Sequence, residues 1–302
     1  MTSRNLVLVD GNNAVHRAYH ATFKAGLTRK DGTPSGALLG TFKVIRQMVR
    51  ELEPTHMLWC FDGGKSEFRL DLDPEYKGHR KTAEVKSPAN PREDIPPQIE
   101  AIRELLEHLG IASYSEDGVE ADDLIAQGVA RWSYTLPITI YSGDHDLLQL
   151  VSDDLDVSVI RPGTSAPTGI GLRAASEQAL GMRFREAEIV EKYGVPPRLL
   201  PDVWALTGDI GDNIHGIPKV GPKTAAKWIN QYGDLVDVLL KEPKCREYHD
   251  LVVRNFKLIC LNGRIGNIPH ALSDLALFEP NVPALNDFIE RWELKSMEGA
   301  VV

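Results

Sequence analysis

Apolar residues in this chain come in short unbroken runs that stop on acids. Leu6-Val7-Leu8-Val9 stops at Asp10-Gly11-Asn12, and Met57-Leu58-Trp59-Cys60-Phe61 stops at Asp62-Gly63-Gly64. Runs this short without polar alternation predict strands buried on both faces, and the Asp-Gly pairs predict the turns that leave them. Ile111 to Tyr114 reads as a short third strand ahead of Glu120, Ile138 to Tyr141 as a fourth that delivers Ser142-Gly143-Asp144-His145-Asp146, and Val157 to Ile160 as a fifth. Between them the period shifts to that of helices. One runs through His16, Ala18, Tyr19 and Phe23, and a second from Gly36 to Leu52 with Ser35 as its cap. Others run from Pro96 to Leu109, stopped by Gly110, from the Glu120 cluster through Leu124 and Ile125, and after Asp146 through Leu150.

Repeated strand–helix alternation predicts an α/β fold with a mostly parallel central sheet flanked by helices. Residues 64–94 break the pattern, being charged, poor in aliphatic side chains and punctuated by Pro74, Pro88 and Pro91. Such a segment is expected to be mobile or ordered by a ligand rather than part of the core. Residues 161–172 are a Pro/Gly/Ser/Thr-rich loop, and beyond about residue 185 strand signals fade into helical ones. The expected division is an α/β domain over residues 1–185 and a helical region over 186–302. No internal repeat is present.

Composition narrows the class. A chain of 302 residues with 42% hydrophobic and 25% charged positions has ample material for a core. No apolar run approaches the ~20 residues of a membrane span, and residues 1–9 have no signal-peptide pattern. Cys60, Cys245 and Cys260 are too widely spaced for a zinc site or a disulfide framework, which fits a reducing cytoplasm. The net charge of −9 argues against a nucleic-acid partner until its distribution is considered. Lys77, Arg80, Lys81, Lys86 and Arg92 face only Glu84 between Tyr76 and Arg92, and Lys219, Lys223 and Lys227 face no acid between Asn213 and Asn230.

Nine acids stand at the exits of these elements: Asp10, Asp62, Glu120, Asp122, Asp123, Asp144, Asp146, Asp209 and Asp212. The C-terminal ends of strands are where α/β proteins present chemistry. Like charges in such number share a cleft only if cations neutralise them, and hard divalent ions with oxygen ligands do so. Asp144 and Asp146 are spaced to converge on one ion from a Gly-led turn, and Glu120 and Asp123 share a face of a helix start. Any one such cluster is more often structural than functional; five at core exits point to a polynuclear Mg²⁺ site suited to in-line attack on a phosphodiester. His16 and His20 have zinc-pair spacing, but the oxygen-rich surroundings favour roles at the surface or in support of the ligands. His145, between two proposed ligands, is expected to point away from them. There is no G-x-S-x-G elbow and no P-loop. In Gly208–Ala225 a Gly-rich turn opens a helix at Pro222, which presents backbone N–H groups to an anion, with Lys223 and Lys227 one turn apart.

These motifs, in order, resemble those of the structure-specific 5′-nuclease family, which includes the 5′→3′ exonuclease domain of bacterial DNA polymerase I, phage 5′-exonucleases and flap endonucleases. The match comprises Val9-Asp10-Gly11-Asn12, Arg17-Ala18-Tyr19-His20-Ala21, Phe61-Asp62-Gly63, Tyr76-Lys77 with Arg80, Glu120-Ala121-Asp122-Asp123, Ser142 through Leu150, and Gly208-Asp209 through Ala225. It spans about residues 5–235. The resemblance implies a resolvase-like, PIN-like α/β domain with a helical arch at about 64–95 and a helix–three-turn–helix at about 209–230. It implies that Asp10, Asp62, Glu120 and Asp122 hold a first metal with Asp123 bridging or beside it. Asp144, Asp146 and Asp212, supported by Asp209, would hold a second. Mg²⁺ is the implied cofactor, with Mn²⁺ as substitute and K⁺ at the hairpin. Lys77 and Arg80 are implied to act on the scissile phosphate, and Arg17, Tyr76, Lys81, Lys86, Gly216, Lys219, Gly221, Lys223, Thr224 and Lys227 to contact DNA.

The implied activity is metal-dependent 5′→3′ exonuclease and 5′-flap endonuclease action on DNA at flaps, nicks, gaps or 5′ ends, by a monomer in replication or repair. With no polymerase sequence following, a free-standing, phage-like nuclease is expected. Two alternatives stay open: a catalytically inactive, structure-selective DNA-binding protein and a PIN-like ribonuclease. The chain departs from the family at His215, where proline is common, and at Lys219-Val220-Gly221, where the family has Gly-Ile-Gly; Lys219 is expected to alter the turn and its K⁺ site.

Overall fold

Strand β1 (Leu6–Asp10) is buried at every position, which a strand sustains only where both faces of its sheet are covered. The computed structural model, which describes residues 4–78, 90–163, 180–297 and 299, has that arrangement. From β1 the chain passes through α1 (Gly11–Thr22) and α2 (Gly36–Leu52) to β2 (His56–Phe61), then α3 (Glu67–Leu72), α4 (Pro91–His108) and β3 (Ala112–Ser115). Helix α5 (Ala121–Trp132) leads to β4 (Ile138–Tyr141), β5 (Val157–Arg161) and β6 (Met182–Phe184). The sheet runs β3-β2-β1-β4-β5-β6, parallel except for the β5–β6 pair, so the class is the α/β one that the alternation predicts. Successive side chains of a strand point to opposite faces. Leu6 and Leu8 therefore join a core with Leu124 and Ile125 of α5, while Val7 and Val9 join another with Val15, Leu38, Phe42 and Ile102.

Strand order reverses between β1 and β4, which opens a crevice beyond their carboxyl ends. Asp10 ends β1, and Ser142-Gly143-Asp144 follows β4, so topology alone delivers acids to that crevice.

The rest of the chain is largely helical: α6 (Glu186–Tyr193), α7 (Leu200–Thr207), a two-residue ladder of β7 (Gly208–Asp209) with β8 (Ile214–His215), α8 (Pro222–Tyr232), α9 (Leu235–Lys241), α10 (Pro243–Arg246), α11 (His249–Ile259) and α12 (Val282–Arg291). Helix α7 packs on α8 and α11. The buried Asn255 amide of α11 donates to the carbonyls of Ala205 and His215 at 3.0 and 2.8 Å, which fixes the small ladder that carries Asp209.

Several elements differ from their sequence expectation. Helix α1 starts at Gly11, immediately after Asp10, whose carboxylate accepts from the Asn13 N–H at 3.0 Å and caps it. Ser35 holds the cap position of α2 without a side-chain bond; the Gln98 Oε1 accepts from the Ala37 and Leu38 N–H groups instead, so a distant residue does the capping. Helix α4 begins at Pro91 rather than Pro96, leaving Pro96 and Pro97 inside it. A short helix, α3, forms within the segment expected to lack core contacts, and its Arg69 is buried. A 3₁₀ turn, Asp146–Leu150, replaces the helix expected after β4. The antiparallel edge strand β6 is too short to register as a periodic run. Most of the loop at 161–172 and the centre of the proposed arch lie outside the described residues.

Glycine is required where two loops meet beside Asp62. The Gly63 N–H donates to Val119 O and its carbonyl accepts from the Gly118 N–H, both at 2.9 Å. A Cβ there would lie 1.6 Å from the backbone oxygen of Glu116, so Gly63→Ala forces main chain apart. A loss of about 1–3 kcal/mol is expected, read as a lower urea midpoint at unchanged slope.

Candidate metal centre

Short side-chain bonds to backbone bring the acid-bearing loops together. Asp10 Oδ2 accepts from Ser142 Oγ at 2.7 Å, and Ser142 Oγ in turn accepts from the Asp144 N–H at 2.9 Å. Asn13 Oδ1 takes the Gly143 N–H and Asn12 Oδ1 the Asp62 N–H, each at 2.9 Å. The Arg161 guanidinium holds the Gly143 carbonyl at 2.6 Å. Asp62 Oδ1 accepts from the Ala121 N–H at 2.9 Å at the start of α5, where Glu120 is the N-cap. Sequence reasoning passed over Asn12, Asn13, Ser142 and Arg161. The first three had a signal, since they adjoin motif acids and are short polar residues able to bond backbone.

One cleft is lined by Glu120, Asp122, Asp144, Asp146, Asp209 and Asp212, together with Arg69, Tyr76 and Lys77. Its floor is Ile214, Leu258, Ile259 and Leu261. Asp10 feels the charges of both Asp62 and Asp144, which ties it to the acids of this cleft. Asp123 is the exception: it is buried, and Arg69 engages both its oxygens at 2.5 and 3.0 Å. Both oxygens of that carboxylate, implied by the resemblance to bridge or adjoin a metal, serve a buried guanidinium.

Tyr76, which the resemblance implies to contact DNA, sits among the same acids. It is buried, and its hydroxyl donates to Glu120 Oε2 at 3.1 Å and Asp212 Oδ2 at 2.9 Å, joining the acids of two distant loops. Lys77, in the left-handed region at φ 52°, places Nζ 2.8 Å from Glu120 Oε1 and 3.6 Å from Asp212 Oδ2. Its own N–H donates to the Asp212 carbonyl at 3.0 Å. His145 is turned toward the acids, against expectation: Nδ1 lies 3.6 Å from Asp144, and Nε2 lies 3.4 Å from Asp146 and 3.6 Å from Asp209. Its ring meets Trp204 edge-on at 5.1 Å, which sets that orientation.

Arg80, Lys81 and Lys86 lie outside the described residues. Arg17 is exposed on α1, its guanidinium against Gly163. His16 and His20 are exposed on the same helix. Lys219, Gly221, Lys223, Thr224 and Lys227 are exposed around the start of α8, whereas Gly216 packs so closely that a Cβ would lie 2.1 Å from Thr207 backbone. Gly216 is thus a packing requirement. Lys219 adopts a positive φ, 62°, of the kind glycine takes freely in a turn with proline second, at a cost of roughly 1–2 kcal/mol for a residue with a Cβ.

The electrostatics call for cations. Burial raises the Asp10 carboxyl to about 7; its bonds from Ser142 and Asn13 oppose this, and the charges of Asp62 and Asp144 add to it. Burial also lifts Asp122, reinforced by Asp144, Asp10 and Asp146, and lifts Asp146, reinforced by Asp144, Asp209 and Asp212. Lys77 acts against both shifts. Burial alone would depress the Lys77 ammonium, but Glu120 and Asp212 outweigh it and raise its pKa. Ligand atoms of Asp144, His145 and Asp146 lie within 4.8 Å of one another. An almost all-carboxylate donor set whose members resist joint ionisation fits a hard divalent cation.

Residues 5–194 match the family described as 5′-3′ exonuclease, N-terminal resolvase-like domain, and residues 195–262 match 5′-3′ exonuclease, C-terminal SAM fold. The chain is similar to a 5′-3′ exonuclease of Streptomyces coelicolor, 36% identical over 248 residues, covering 80% of this chain and 77% of that protein. It is 38% identical to DNA polymerase I of Mycobacterium tuberculosis over 231 residues, which cover 76% of this chain and only 23% of the polymerase. Among solved structures, phage T5 5′-exonuclease with bound zinc superposes with a TM-score of 0.69 at 22% identity over 95% of this chain and 99% of that one. Flap endonuclease-1 from Methanococcus jannaschii superposes at 0.55 with 19% identity over 95% and 86%. At these identities the structural matches establish the fold. No helix among the described residues is long and apolar enough to cross a membrane.

Asp10 gives a pH prediction. Its folded pKa of about 7 exceeds the ordinary 3.8, so between these values the unfolded chain releases a proton that the folded chain retains. Stability of the cation-free protein therefore falls as pH rises from 4 to 7, and above 7 the full penalty is present. Asp10→Asn in EDTA is expected to melt higher than wild type at pH 8, by roughly 2 kcal/mol, with the gap closing toward pH 4. Apparent affinity of the wild type for divalent cations should fall below pH 7, where protons compete.

Proposed function

Since the chain belongs to the 5′-3′ exonuclease family, we propose that it is a Mg²⁺-dependent nuclease that hydrolyses DNA at 5′ flaps, nicks, gaps and free 5′ ends. The observation that carries this reading is the convergence of six carboxylates and the Lys77 ammonium on one cleft. Likeness to relatives described as a flap endonuclease and a 5′-exonuclease with bound divalent ions supports it. The polymerase activity of the longer relatives does not enter, since the chain spans 23% of their length.

In this reading Glu120 and Asp122, with Asp10 and Asp62 beside them, hold one cation, and Asp144, Asp146 and Asp212, supported by Asp209, hold another. Ions bound there would lower the pKa of water and offset phosphate charge. The remaining work falls to the chain. Lys77, beside Glu120 and Asp212, reaches the non-bridging oxygens of a phosphodiester entering the cleft and stabilises their growing charge. Tyr76 keeps Glu120 and Asp212 at a constant separation. In-line attack breaks the bond to the 3′ oxygen and leaves 5′-phosphate and 3′-hydroxyl ends. Arg80 would share the role of Lys77. The exposed turn and first turns of α8 offer N–H groups and lysines to a duplex backbone, contacts that read no sequence.

A 5′-flap DNA labelled at its 5′ end should be cut near the junction in Mg²⁺ and left intact in EDTA, with Asp146→Ala lowering turnover at least about a thousandfold. Purified protein that leaves the flap whole in Mg²⁺ defeats the reading; tight flap binding without cutting would then favour the inactive DNA-binding alternative. Lys223→Gln with Lys227→Gln should make the slope of log affinity against log salt shallower by about 2, measured in Ca²⁺. An unchanged slope would remove α8 from the interface.

A further inference from the structure

Arg69 has no part in the chemistry above, yet its guanidinium is the most constrained cation of the site. It is 3% exposed, and each of its three nitrogens is engaged. Nε donates to the Leu258 carbonyl at 2.9 Å, Nη1 and Nη2 grip Asp123 at 2.5 and 3.0 Å, and Nη1 also reaches Ser66 Oγ at 3.3 Å. The same Nη1 lies 3.3 Å from Glu120 Oε2. One side chain thus joins α3, the start of α5 and the end of α11. Glu120 receives Lys77 on Oε1 at 2.8 Å and Tyr76 on Oε2 at 3.1 Å, so Arg69 completes a three-point hold on a carboxylate that faces the cleft.

We propose that Arg69 is a positioning residue that presents Glu120 to the cation, and that Asp123 is its counter-ion rather than a metal ligand. The chemistry requires this division. A buried guanidinium needs a carboxylate of its own, and bidentate pairing commits both oxygens of Asp123 away from the cleft. Asp122, the preceding residue on the same helix turn, lines the cleft in its place. The inference rests on the metal-dependent reading of this cleft.

The test is Mn²⁺ binding, followed by electron paramagnetic resonance on the DNA-free full chain, with urea midpoints recorded alongside. Asp123→Asn keeps an acceptor for Arg69 and should bind Mn²⁺ within about threefold of wild type, while Arg69→Lys, which cannot span Asp123 and Glu120 together, should bind about 10–100-fold more weakly while folded. Asp144→Asn sets the scale for loss of a direct ligand. If Asp123→Asn weakens Mn²⁺ as much as Asp144→Asn does, Asp123 is a ligand and the inference fails. If folded Arg69→Lys binds like wild type, the positioning role fails. Should that variant not fold, the pair Arg69→Met with Asp123→Leu leaves neither charge buried alone and is judged by the same criterion. A wild type that binds no Mn²⁺ overturns the metal reading itself.

Discussion

Mutual repulsion among buried carboxylates governs this molecule. Strand order places β1 and β4 side by side with their carboxyl ends open, and the acids that leave them cannot avoid one another. Asp10, Asp122 and Asp146 are held above their ordinary range by burial first and by neighbouring acids second. Two side chains supply internal relief. Lys77 reaches Glu120 and Asp212, and Arg69 reaches Asp123 and Glu120. The remaining acids of the cleft outnumber these cations, and an excess of that kind suits oxygen-seeking divalent ions.

Holding such a cluster requires structure that tolerates the repulsion. The loops are tied by bonds that are individually modest, about 0.5–1.5 kcal/mol each, but arranged in a chain from Asn12 and Asn13 through Ser142 to the Asp144 turn. Behind them the two cores on either side of the sheet fix the strand ends rigidly. The helical remainder contributes by docking. Asn255 anchors the β7–β8 ladder, and Tyr76 and Lys77 meet Asp212, so a cleft built mostly on the sheet is closed by residues more than a hundred positions away in sequence.

Strands and their exits were readable because burial on both faces leaves a run of aliphatic side chains that nothing else in a soluble chain requires. Helix ends were read less well. Ser35 has the right chemistry for a cap, but Gln98, more than sixty residues on, takes the N–H groups. Arg69 looked like one charge in a charged segment until α11 covered it. Nothing local to Tyr76 reveals the two acids that it joins, and the local spacing that points His145 outward carries no information about Trp204.

The sequence by itself determined that apolar runs would end in acids at one edge of a parallel sheet, since hydrophobic periodicity and turn chemistry are local properties. Tertiary structure alone decided which oxygens face the cleft. Asp122 and Asp123 differ by roughly 100° around one helix, and only the guanidinium waiting on one side of it turns the second inward and leaves the first lining the cleft.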